Sequence, residues 1–439
     1  MTAEKTVGED VNIFKKNRFN NDCKRTMFYI VAALLFMLPF SYEISSLLLV
    51  AGWLVYIYKS VRGFFEWERT PFDFPIAIFV VISFLSVFVS PDPAFSFYNC
   101  YNLVGRYVLT YYLVVQSLNS KDIKQVRILP DKNKHIVRVA LLEQVKILLY
   151  VMCLSLLIVI VYGFLQAFLG IGLTAEAMVW TDNAMFPGLK TRVFSTWQNP
   201  NLLGGYLDFV LGLLMGVFVV IKNKNVRIAV GILFCLAAFC LTLTYARGAC
   251  ISIAAVMAVY GALYNRRILI GLIFLAAVLL ISDTALVERL TSVFTKLDTS
   301  SEMRLAFWES TIAMILDHPL LGIGWGAYFM VYPTYDYYMQ GNFIKIVHAH
   351  NMYLNFMAEI GLFGFVSFMV YYFGIIYKAF KTQIADIEPL NKGVMLGIGL
   401  GMSALALNGL TDYVMFNTEL SMLIWLFSGI AVILGKKSV

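Results

Sequence analysis

Residues 344–364 read IKIVHAHNMYLNFMAEIGLFG, and the fold turns on the tetrapeptide His348-Ala349-His350-Asn351 inside it. Upstream, from Asp283, the chain is polar and carries Arg289, Lys296, Arg304 and Lys345. Downstream it becomes an apolar run with no charge between Ile360 and Tyr377. A chain of greasy helices needs no long polar interruption merely to fold. The segment is therefore expected to cap an active site, with His350 doing chemistry at the membrane boundary.

The rest of the chain supports that frame. Hydrophobic residues make up 60%, charged residues 14%, and mean hydropathy is +0.76. Soluble domains carry more charge and shorter apolar runs, whereas a bilayer core demands about 20 apolar residues per helical span. The spacing predicts twelve spans, near 27–41, 44–58, 74–89, 103–118, 147–170, 201–221, 228–245, 248–264, 268–283, 351–377, 393–411 and 419–435. The fold class is thus an all-α polytopic membrane protein, one membrane domain over 1–439. A large extracytoplasmic loop with amphipathic helices is expected between spans nine and ten. The basic N-terminus before Met27 lacks a small-x-small cleavage site after Phe40, so an uncleaved first span is expected.

Charge sets the orientation. Of 34 Lys and Arg residues, 26 fall on one side of the twelve spans. The other 8 are Arg106, Lys190, Arg192, Arg247, Arg289, Lys296, Arg304 and Lys345. The positive-inside rule then puts both termini in the cytoplasm and the loops 171–200 and 284–350 outside. The +7 net charge is a topology signal, not a nucleic-acid one. The basic inner loop 119–146 suits anionic lipid. The six cysteines show no C-x-x-C pair and no metal spacing, which fits small core residues.

The outside arginines carry more information, because topology does not explain them. In Arg192-Val193-Phe194-Ser195-Thr196-Trp197-Gln198-Asn199-Pro200-Asn201, Pro200 biases Asn199 to an extended conformation and Asn201 is expected to cap the following span. Arg192 and Gln198, with Asn199 beside them, would suit a sugar or phosphate. Arg247 stands in Thr244-Tyr245-Ala246-Arg247-Gly248-Ala249 between two apolar runs; arginine at membrane depth is costly and a functional candidate. Arg304 is expected in the first turn of an amphipathic helix opened by Ser300 or Ser301, with Met303, Ala306, Phe307 and Ile312 as its apolar positions. That is the wrong helix end for a cation. After His318-Pro319, the glycines 322, 324 and 326 predict a tight, mobile turn. Asp412, four residues after Asn408, is expected to pair with an arginine. The histidines at 348 and 350 raise a zinc site, but no third ligand and no H-E-x-x-H accompanies them; no metal and no cofactor are expected. Asn351 is a candidate for orienting a ligand. Two arginines suit bidentate phosphate recognition, and a histidine suits general-base activation of a hydroxyl.

At these residues the chain resembles the O-antigen ligase/polymerase superfamily of bacterial surface-polysaccharide enzymes. The likeness rests on Phe194 to Asn201, on Ala246-Arg247-Gly248, and on Met303-Arg304 through Gly324. The strongest part is His350-Asn351 followed at fixed spacing by Gly361 and Gly364. It covers roughly residues 190–415. The resemblance implies a metal-independent, inverting glycosyltransferase in the bacterial cytoplasmic (inner) membrane. Its donor would be an undecaprenyl-diphosphate-linked glycan. Its acceptor would be lipid A–core, another glycan or a protein. Arg247 and Arg304 would hold the diphosphate and His350 would be the base. His348 has no firm family counterpart and is a candidate for supporting the site residues from behind or contacting the sugar or acceptor. A polymerase of the same superfamily is the alternative. A twelve-span transporter is a second class, disfavoured because no half-repeat is seen.

Overall fold

The computed structural model describes residues 2–118, 130–173, 191–282, 287, 299–336, 345–384 and 387–436; within these, the side chains of 2–17, 130–140, 275–276, 279–282 and 299–300 are not described. Arg289, Lys296, Lys190, most of the loop 171–200 and the inner-loop basics Lys121, Lys124 and Arg127 lie outside this description; of Lys132, Lys134 and Arg138 only the backbone is described. Among the described residues the regular structure is all helical.

The long helices are α1 (Thr2–Met37), α2 (Tyr42–Lys59), α3 (Asp73–Ser86), α4 (Pro93–Asn99), α5 (Gly105–Ser117), α6 (Pro130–Leu169), α7 (Pro200–Val220), α8 (Lys224–Leu243), α9 (Arg247–Tyr264) and α10 (Arg266–Ser282). They are followed by α11 (Thr299–Asp317), α12 (Tyr328–Tyr335), α13 (Met352–Lys381), α14 (Pro389–Asn408) and α15 (Thr418–Gly435). Each of the twelve expected spans coincides with one of these helices. Eight of them, among the described residues, are long and apolar enough to cross a membrane. The other four are α1, α3, α5 and α10; α3 with its 3-10 extension, Asp73–Val89, is apolar but shorter than the eight.

The centre of the bundle is α7 against α14. Both are rich in glycine, and a Cβ on Gly212 or Gly216 would fall on the backbone of Gly401 or Gly397. Helix backbones meet this closely only where small residues recur about every turn. At the far end of the bundle, several basic residues counted above as topology signals are paired. Lys24 and Lys59 reach Glu66 at 3.1 and 3.7 Å, and Lys436 reaches Glu68 at 2.8 Å. These pairs tie α1, α2 and the C-terminus of α15 together.

The helix that carries Arg304 lies over the start of α13. Its buried face is Phe307, Ser310, Thr311 and Met314, at i, i+3, i+4 and i+7. Ile312, expected on that face, is instead exposed. The helix begins at Thr299, so Arg304 lies in its second turn. The hydroxyls on the buried face are used: Ser310 donates to the Tyr335 carbonyl (2.8 Å), and Thr311 pairs with the Tyr328 hydroxyl (2.7 Å).

The turn after α11 is pinned, contrary to the expectation of a mobile one. Gly322, Gly324 and Gly326 all have positive φ. The N–H of Ile323 donates to the Ala358 carbonyl (2.8 Å) and that of Gly324 to the Glu359 carbonyl (3.1 Å). In return Leu362 N–H donates to Pro319 O (2.9 Å). The partner segment is a break in α13, where Gly361 has φ 63° and ψ −173°. That region is essentially glycine-only, and a Cβ there would strike the Leu320 carbonyl. The spacing from His350 to Gly361 thus fixes α11, which lies over the site like a lid, at a set height above His350. Gly361→Ala is expected to lower stability by about 1–3 kcal/mol from backbone strain alone, with more from the clash. The thermal unfolding midpoint in detergent reads this; an unchanged midpoint would mean the break does not hold the lid.

Candidate active site

The lid, the starts of α7, α9 and α13, and the end of α14 enclose a cavity of about 310 Å³. It is lined by Arg192, Asn201, Tyr245, Arg247, Arg304, His350, Asn408, Thr411 and Asp412, with Ala246, Gly248, Ala249 and Met303. Five separate parts of the chain therefore bring three arginines, an imidazole and a carboxylate together.

Helix α9 opens directly onto this space. Its first residue is Arg247, 8% exposed, and no side chain caps its N-terminus. Uncapped helix N–H groups and the positive end of the dipole favour an anion. Gly248 makes room: a Cβ there would lie 2.7 Å from Thr411 Oγ1 and 2.8 Å from Asn408 Oδ1. Arg192 is more structural. Its Nε donates to the Thr244 carbonyl (2.8 Å) and its terminal nitrogen to Asn201 Oδ1 (2.7 Å). The cap of α7 is Asn199, whose Oδ1 accepts from the N–H groups of Asn201 and Leu202. This corrects the expectation that Asn201 caps. Pro200 occupies the first helical position, so the cap is the residue before it, two residues earlier than expected. Gln198 is exposed and, like Asn199, lies outside the cavity lining.

His350 Nδ1 stands 3.3 Å from Asp412 Oδ1. The close partner of Asp412 is therefore His350, not an arginine. Asp412 lies past the end of α14, but its N–H still donates to the Asn408 carbonyl (3.0 Å), so both side chains face the cavity. Burial would raise the Asp412 carboxyl. Hydrogen bonding and charge from His350, with charge from Arg304 and His348, outweigh it and hold the group well below the usual carboxylate range. Phe307 lies nearly parallel beneath the His350 ring, 23° and 5.8 Å centroid to centroid. Its position, one turn beyond Arg304 on the same helix, was the only hint of this in the sequence.

The backbone around the cavity is strained. The non-glycine residues with positive φ among the described residues are Ser195, Gln198, Tyr245 and His350. Each left-handed residue costs roughly 1–2 kcal/mol, and such outliers gather at functional sites. Asn351 is committed to holding this backbone: its Oδ1 caps α13 and its Nδ2 donates to the Leu410 carbonyl (3.0 Å). It is not among the cavity-lining residues.

His348 is buried against His350, Tyr413 and Phe416. Burial, then the positive charge of His350 and Arg304, pushes its pKa down to about 3. Unfolded, it titrates near the usual 6.5, so the unfolded chain takes up this proton first as pH falls. The stabilisation is complete above about 6.5 and is lost progressively toward 3. Asp412, depressed in the fold, loses its contribution below its usual 3.8, in the same direction. The unfolding midpoint is expected to drop between pH 7 and pH 4.5, and His348→Asn should remove most of that drop. An equal drop in that variant would exclude His348 as its source.

The ligand atoms of His348, His350 and Asp412 lie within 4.8 Å of one another. Asp412 thus supplies the third donor that the sequence spacing lacked. Arg304 carries positive charge onto His348 and Asp412, which opposes a divalent cation at this position.

Together these features define a multi-pass helical membrane protein with an arginine-lined, anion-suited cavity at one end of its bundle. Residues 232–369, which include Arg247, Arg304, His350 and Gly361, match the family model described as O-Antigen ligase. The match supports the O-antigen ligase-like superfamily for this chain, and with it a glycosyl-transfer enzyme of that kind. No curated protein matches the chain.

Proposed function

We propose that the protein is an O-antigen ligase-like glycosyltransferase that moves a glycan from undecaprenyl diphosphate to an acceptor hydroxyl, on the outer face of the bacterial cytoplasmic membrane. The observation that carries this reading is the convergence of Arg247, Arg304, His350 and Asp412 on one cavity beside an apolar groove. The groove, about 610 Å³, runs between α9, α13 and α14 and is lined by Val259, Leu263, Phe373, Leu400, Leu407 and Leu410 among others. Leu407 and Leu410 alternate in sequence with Asn408 and Thr411 of the cavity. A ligand with a charged head and a long apolar tail matches that pairing.

The geometry supports the following chemistry. Arg247, Arg304 and the N-terminus of α9 hold the diphosphate. Asp412 stands 3.3 Å from His350 Nδ1, where its charge favours the imidazolium, and Nε2 is left as the base, which takes the acceptor hydroxyl proton. The acceptor oxygen bonds to the anomeric carbon as the carbon–oxygen bond to the diphosphate breaks, with inversion. Undecaprenyl diphosphate departs with its new charge against the arginines, which is electrostatic stabilisation of a leaving group by preorganised donors. Lipid A–core is the acceptor we take for the ligase reading; the family match supports ligase- and polymerase-type transfer alike.

Transfer should be tested with purified protein and lipid-linked donor extracted from the source cells, offering lipid A–core and free glycan as competing acceptors. The expected result is labelled lipid A–core, unchanged by chelator, with an inverted linkage. Glycan-on-glycan product would reassign the enzyme as a polymerase. Activity lost with chelator and restored by divalent metal would overturn the metal-free mechanism.

A further inference from the structure

We propose that His348 is a positioning residue: its Nδ1, together with the carboxamide of Asn355, holds the turn that keeps His350 in its left-handed conformation and aims its imidazole into the cavity. The inference rests on His350 being the base proposed above.

The turn is over-determined by its hydrogen bonds. The N–H of His350 donates to His348 Nδ1 (3.2 Å). The N–H of Ala349 donates to Asn355 Oδ1 (3.0 Å), and Asn355 is fully buried one turn into α13. The N–H of Met352 donates to the Gly409 carbonyl (2.7 Å). His350 itself has φ 49°. A non-glycine residue persists there only when its surroundings impose it. The imposing groups are His348 and Asn355, neither of which lines the cavity.

The His348 ring is fixed in turn. It lies 4.2 Å from the His350 ring and 4.8 Å from Phe416, centroid to centroid, with Tyr413 edge-on. An imidazole accepting at Nδ1 carries its hydrogen on Nε2. Geometrically the contact is a side chain bonding the backbone N–H two residues on, as asparagine does in an Asx-turn. Asparagine Oδ1 occupies the same branch position as histidine Nδ1. An asparagine at 348 therefore keeps the acceptor and discards everything else an imidazole can do.

That separates positioning from proton relay or metal ligation. In purified protein, with donor extracted from source membranes, His348→Asn should keep kcat within about threefold of the parent. His348→Leu, similar in bulk but without an acceptor, should lose about 100-fold in kcat, the scale of a misaimed catalytic group. Its KM for donor and its binding of undecaprenyl diphosphate should be unchanged. A folded His348→Asn as inactive as His348→Leu would overturn the proposal, because the imidazole itself would then be needed. Full activity in His348→Leu would overturn it too. If His348→Leu does not fold, His348→Asn decides alone, active upholding and inactive with normal binding refuting. His350→Ala keeps the two readings apart. Inactive His350→Ala beside active His348→Leu sinks only the positioning role; active His350→Ala sinks the base assignment beneath it.

Discussion

His350→Ala is expected to abolish glycan transfer while leaving a folded, membrane-inserted protein. General-base catalysis contributes about 10²–10⁴-fold, and a base set on a strained turn beside a buried carboxylate belongs at the upper end. The substitution removes the only imidazole lining the cavity among the described residues. Alanine keeps the Cβ that the left-handed backbone already carries, so the substitution adds no backbone strain and a loss of activity is not a loss of fold. Donor affinity should be nearly unchanged, because the diphosphate is held by Arg247 and Arg304. The signature is therefore a collapsed kcat with KM preserved, as expected when the lost interaction acts only in the transition state. Asp412→Asn should weaken the reaction less. It keeps a hydrogen-bonding group against Nδ1 but removes the charge that stabilises the imidazolium. Full activity of His350→Ala with purified lipid-linked donor would remove the base from this site.

Much of this was legible because it rests on local rules. Apolar runs of bilayer length fixed where the helices lie. Pro200 announced an extended Asn199, which is the observed cap. The spacing of Gly361 from His350 marked a backbone need, now seen as the break that receives the lid turn. What escaped depends on contacts between distant parts of the chain. Asp412 was expected beside an arginine, since opposite charges invite that reading. Its partner instead is His350, from a helix start brought alongside it by the Met352–Gly409 hydrogen bond. Ile312 was put on the buried face of its helix because hydropathy alone cannot say which stripe meets a neighbour. Here the buried stripe includes Ser310 and Thr311, whose hydroxyls find partners. Asn351 and Arg192 look like ligand contacts in sequence; both are largely occupied with holding backbone. Polar residues near a site divide into those that touch a ligand and those that hold the ones that do, and only coordinates separate the two.

Arg247→Lys is expected to lose about 10²–10³-fold in kcat/KM, the cost of removing one preorganised donor to developing charge, even though the formal charge is kept. Arg247 is buried at the first position of α9, its neighbours are Ala246, Gly248 and Ala249, and the cavity closes around it. A guanidinium there offers two parallel donors to one phosphate in a fixed plane. An ammonium offers a point charge on a flexible stem. The site stands where the helix dipole favours an anion, and loss of the bidentate contact should therefore appear in donor binding as well as in rate. Arg304 differs in one respect, because it rides on the lid and not on the bundle. Donor bound between the two arginines would bridge lid and bundle, and the paired variant Arg247→Lys/Arg304→Lys should then fall short of additivity. Residues that act on one ligand as a unit are non-additive. Measured by undecaprenyl diphosphate binding and by transfer, strict additivity would mean that the two arginines act on separate ligands. Normal donor binding in Arg247→Lys would take that residue out of the site altogether.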